Sequence, residues 1–221
     1  MTVVSGTTST GLVARVQNIL TKPAAEWAVI DGEPATIPGL FTSYAAIVAL
    51  LPVIGGVLGG LLGVLIFHAI FGLMYGLVSA IISAVIGYVI GLVAIYVFSL
   101  IINALASSFD ATASPVQAAK VAIYGATSWW VAGLFSFVPV LGWIIAILGF
   151  GYSCYLWYLG ILALMKPPAD KAVVYAIASI AIYIVLFAIA FWLALIIGGL
   201  IIAATIGAAA VTGAAALGGV H

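Results

Sequence analysis

The chain of 221 residues is 67% hydrophobic and 5% charged, with five Lys+Arg against five Asp+Glu. Water-soluble domains carry roughly 25% charged residues, so this composition cannot cover a surface in water and specifies a membrane protein. Zero net charge, one cysteine and no basic patch exclude a nucleic-acid binder, a secreted disulfide scaffold and a disordered regulator.

Residues 1–37 read as a cytoplasmic amino-terminal segment. They are not a cleavable signal, because no continuous apolar core follows a positive start and charges recur from Arg15 to Glu33. Leu12, Val13, Val16, Ile19 and Leu20 share one helical face with Arg15, Gln17 and Asn18 opposite, which predicts an amphipathic helix lying on the membrane and ending at Lys22-Pro23. It serves as an anchor for the first span or as a docking site for a partner.

Charges fall in three clusters: Arg15 to Glu33, Asp110 with Lys120, and Lys166 with Asp170 and Lys171. A charge at a helix centre costs about 2.5–3.5 kcal/mol on insertion, so these clusters mark aqueous segments and the runs between them the membrane. A single helix over 121–165 would be about 68 Å long, more than twice the roughly 30 Å hydrocarbon core, so that run turns back near Pro139 and Gly142. Two spans in 34–109 keep all five bases on one side, and the positive-inside rule then places the amino terminus in the cytoplasm.

The expected fold is an all-α transmembrane bundle with spans at about 38–63, 74–106, 117–138, 141–165 and 172–197. The membrane domain is 38–197. The Ala/Gly-rich tail 198–221 is a helix extension, a surface segment or a sixth span. Ser114-Pro115-Val116-Gln117 reads as a capping box opening the third span, and Pro167-Pro168-Ala169-Asp170 ends one helix and offers Asp170 as the cap of the next.

Within the spans, Gly55, Gly59 and Gly63, Gly56 and Gly60, Gly72 and Gly76, and Gly87 and Gly91 recur at four-residue spacing. Such faces let backbones approach closely in lipid, within one bundle or between copies. Pro52 marks a kink in the first span, and with Trp129, Trp130 and Pro139 it is a candidate pocket for an apolar or aromatic ligand, against simple core packing. The indole N–H groups of Trp129 and Trp130 look for partners such as Tyr124, Ser128 or Ser136.

Reactive chemistry is scarce. Cys154 has no cationic neighbour to make it a thiolate, His68 and His221 have no ligand spacing, and no acid lies inside a span as a proton relay. The expectation is a non-enzyme without cofactor or metal.

Arg15, Asn18-Ile19-Leu20, Pro23, Glu26-Trp27 and Ile30 resemble the opening motif of bacterial membrane proteins of the Yip family, named for Ypt-interacting proteins. Tyr124 to Trp143 is similar to that family's central hairpin, and Tyr155 through Lys166-Pro167 to its following span and exit. The resemblance covers about residues 11–197 and implies a five-span bundle with a cytoplasmic amino terminus. Eukaryotic members contact Rab-type GTPases through a longer amino-terminal region, so that interaction is not carried over. No catalytic residue transfers.

The leading expectation is a membrane scaffold or accessory subunit in a bacterial inner membrane, packing against lipid and against other membrane proteins or a second copy. A carrier or channel for a small neutral or hydrophobic solute is the alternative. Lipid organisation, with a bound lipid, is the third reading.

Overall fold

The computed structural model describes residues 11–67, 72–138 and 140–218. All regular structure among them is helical. Four helices are long and apolar enough to cross a membrane among the described residues: Ile37–Leu62, Ala80–Phe109, Leu141–Met165 and Ala169–Ala204.

Two short helices come first, α1 (Leu12–Thr21) and α2 (Pro23–Gly32), hinged at Lys22. Proline at the first position of α2 has no N–H to lose there, so it ends one helix and starts the next. The inward face of α1 is Arg15 and Ile19, both buried, while Val13 is 66% exposed. This corrects the expected split of the helix: Arg15 and Ile19 are four residues apart and therefore share a face.

The first apolar helix is built of α3 (Ile37–Leu40), a π turn at Phe41–Ala45, α4 (Ala46–Val48) and α5 (Leu50–Phe67). Thr42 and Ser43 hydroxyls donate to the carbonyls of Pro38 and Gly39, drawing those carbonyls from the regular ladder and widening the turn. The helix is interrupted at Ala49, just ahead of Pro52, whose ring cannot pack against a carbonyl one turn back. Then follow α6 (Gly72–Ala106), which carries the second span, α7 (Pro115–Gly125), α8 (Thr127–Gly133), α9 (Leu141–Gly160) and α10 (Ala169–Gly218).

The segment expected as the third span, 117–138, is not one continuous helix. α7 stops at Ala126, where the Thr127 hydroxyl donates to the Tyr124 carbonyl at 2.6 Å, and α8 passes into a 3-10 turn at Leu134–Phe137. It nevertheless runs through the bundle from Gln117, beside Asp31, to Phe137, beside Gly59. Every residue from Ala118 to Ser128 is buried.

Ser114 caps α7 by accepting from the Gln117 N–H, but the Gln117 side chain turns away to Asp31 instead of closing the expected box. α10 begins at Ala169, so Asp170 sits in its first turn and not at its cap. Residues 198–218 continue α10 without a break. Pro139 lies outside the described residues, and the neighbouring Val140 turns the chain with a positive φ of 65°.

The core sits at the charged end of the bundle, where Trp27, Phe98, Trp157 and Tyr175 are fully buried. Phe98, Trp157 and Tyr183 meet ring to ring at 4.6–5.0 Å and join α6, α9 and α10. α10 packs mainly on α6, and only 6% of its apolar window is buried.

Candidate functional site

The three charged clusters converge on one end. Arg15 Nη1 donates to Glu26 at 2.6 Å and Arg15 Nη2 to both oxygens of Glu33 at 2.5 Å. Lys166 pairs with Asp31 at 2.8 Å, and Lys171 pairs with Asp110. The Thr112 N–H donates to the Met165 carbonyl, tying the two interhelical loops together.

Lys120, expected in an aqueous segment, is only 3% exposed. Its ammonium donates to the carbonyls of Ile30 at 2.8 Å and Glu33 at 2.6 Å. Those carbonyls belong to the last turn and cap of α2, which carry the negative end of the helix dipole, so the buried cation is met by a helix C-terminus. Gln117 donates to both the carbonyl and the carboxylate of Asp31. α7 thus grips the end of α2 with two side chains from one face.

The Arg15 guanidinium is held above its ordinary pKa: burial opposes its charge, and the hydrogen bond and charge of Glu33 with the charge of Glu26 outweigh that. It also lies over the Tyr124 ring, 5.5 Å from the centroid. Tyr124 packs edge-on against Tyr44, whose hydroxyl pairs with Thr127 at 2.8 Å.

Beside this lock is a cleft of about 670 Å³ walled by α1, the 33–36 linker, the first span and α7; Arg15, Glu33, Thr36, Ser43, Lys120 and Tyr124 all reach it. Sequence reading missed the cleft. The available signal was Lys120 itself, a lone cation between Ala118-Ala119 and Val121-Ala122 on a helix already opened by Ser114.

A second opening, of about 430 Å³, lies between α5 and α6 and brings Pro52, Trp129 and Trp130 together with Gly56, Gly87 and Gly91. Phe187 of α10 closes its edge and meets the Trp129 ring at 5.6 Å. Its lining is predominantly apolar, with Ser83 and Tyr88 as the main polar exceptions besides the indoles. The Trp129 backbone N–H donates to Ser153, and Tyr124, Ser128 and Ser136 do not serve the two indole N–H groups.

The repeated glycines divide by use. A Cβ at Gly55 would sit 2.5 Å from the Leu134 carbonyl, at Gly59 3.2 Å from the Phe137 backbone and at Gly60 2.8 Å from Ala80, so these face intramolecular contacts. At Gly56, Gly87 and Gly91 it would meet nothing within 4 Å. The packing around Gly63, Gly72 and Gly76, like His68 and His221, lies outside the described residues. Cys154 is free and half-buried.

Apolar helices of span length joined at one charged end define a multi-pass membrane protein. The family model for the Yip1 domain matches residues 18–190, and the chain belongs to that family. Neither a curated protein nor a solved structure matches it.

Proposed function

We propose that this protein is a non-enzymatic membrane scaffold or accessory subunit that packs against another membrane protein. The observation that carries the reading is the open glycine face of Gly56, Gly87 and Gly91, around a groove of about 430 Å³ that no part of the described chain fills. In lipid there is little hydrophobic drive between helices, and small-residue faces supply association by letting backbones approach. The proposal places it in a bacterial inner membrane with five crossings, the broken segment α7–α8 being the third. All five bases then lie on one side, and the amino terminus is cytoplasmic.

The test is purification from the native membrane in mild detergent, with mass spectrometry of co-purifying proteins, for the natural chain and for Gly87→Leu with Gly91→Leu. A partner at near-equal amount, lost in the variant, supports the reading. A bare monomer in both cases ends it.

The groove also motivates a carrier for a small neutral or hydrophobic solute, because Pro52 interrupts the first span where Trp129 and Trp130 line the opening. Recovery of a stoichiometric small molecule from the purified protein, displaced by Trp130→Ala, favours it. A clean protein counts against it.

A further inference from the structure

The cleft beside α1 is rich in hydrogen-bond donors with no acceptor assigned to them. Its one carboxylate, Glu33, gives both oxygens to Arg15. The Tyr124 side chain is 8% exposed and lines the cleft, and among the described residues its hydroxyl makes no hydrogen bond, only its carbonyl accepting from Thr127. Lys120 has three N–H groups, and the carbonyls of Ile30 and Glu33 take two of them. Thr36 Oγ1 accepts from the Gly39 N–H at 3.1 Å, which leaves its own proton to give. The first turn of α1 also opens here, and Gly11 supplies no side-chain cap for its N–H groups.

Arg15 is already met by Glu26 and Glu33, so the charge left to the cleft is the Lys120 ammonium, and with these donors it makes a surface that an acceptor-rich anion matches. We infer that this cleft binds a phosphate-bearing anion, received by Tyr124, Lys120, Thr36 and the amino terminus of α1. The cleft lies where the first span begins, between α1 and Leu40, and Leu12, Pro34 and Leu40 add apolar wall. That is headgroup depth, so an anionic phospholipid fits with its phosphate on the donors and its glycerol against the wall. A soluble phosphate ester shares the same chemistry. The inference does not rest on the scaffold reading.

The test uses the delipidated full chain in detergent, with thermal unfolding followed as phosphatidylglycerol, phosphatidylcholine or inorganic phosphate is titrated. Tyr124→Phe removes the hydroxyl without breaking any existing hydrogen bond. Phosphatidylglycerol should raise the midpoint saturably and phosphatidylcholine should not, and Tyr124→Phe should weaken half-saturation about tenfold while leaving the lipid-free midpoint unchanged. Stabilisation by inorganic phosphate alone, weakened by the same variant, keeps the site and assigns it to a soluble ester. No response to either phosphate source, or an equal response from the variant, overturns the inference.

Discussion

At the scale of single residues, the two placements that matter most are Arg15 and Gly125. Arg15 and Glu26 have side chains only 5% and 7% exposed, so each is tolerable because the other is present. Arg15→Met should cost about 3–5 kcal/mol by leaving buried carboxylate unpaired. Adding Glu26→Gln and Glu33→Gln should recover part of that loss, since the pair as a whole is worth less than either broken half. Equilibrium unfolding in detergent reads both. Gly125 faces the Trp157 ring so closely that a Cβ would overlap it, and Trp157 is pinned by its N–H to the Ala122 carbonyl at 3.1 Å. Gly125→Ala should therefore destabilise by about 1–3 kcal/mol and change the tryptophan emission.

At the scale of elements, the α1–α2 hairpin is held to the bundle by few bonds. Lys120 and Gln117 grip the end of α2, Tyr152 donates to the Leu20 carbonyl at 2.8 Å, and Trp27 packs over Gly160. Lys120→Met removes the cation that satisfies the α2 C-terminus. It should raise the rate of tryptic cleavage after Arg15, which is buried while α1 is docked, several-fold while the spans stay protected. Unchanged cleavage would mean that the apolar contacts of Trp27 and Ile30 suffice. Breaks in the long helices have equally local causes: hydroxyls of Thr42, Ser43 and Thr127 return to backbone carbonyls, and Pro52 prevents a regular turn before it.

At the scale of the whole molecule, the glycine faces separate folding from association. A Cβ at Gly87 or Gly91 enters open space, so Gly87→Ala and Gly91→Ala should change stability by no more than about 0.5 kcal/mol each. Gly55→Leu forces the first span away from the Gly133–Leu134 backbone and should prevent proper packing. Side assignment is measurable in the same way: with Cys154→Ser as background, single cysteines at Lys22 and Asp170 should react with an impermeant thiol reagent from one side of the membrane. One at Val140 should react from the other. Labelling of Val140 from the same side as Lys22 would refute α7–α8 as a crossing and leave four.

Composition alone determined the solvent, because excluding charge from lipid is a constraint on each residue separately and needs no partner. The spacing of the charges bounded the apolar helices, and the opening motif from Arg15 to Ile30 pointed to the family. Which charges are buried was legible only in part. Arg15 could have been placed beside Ile19 by helical spacing, and Lys120 flagged by its apolar flanks. Their partners are another matter: Lys120 meets carbonyls about ninety residues away, Tyr44 meets Thr127 across the bundle, and Pro52 lies against Gly133 and shares a groove with Trp130 only because α5 and α8 touch. Such contacts are set by how helices pack: the four-residue repeat marked Gly55 for close approach but not the Gly133–Leu134 backbone as its partner, and the approach of Gly125 to Trp157 follows no periodicity in the chain.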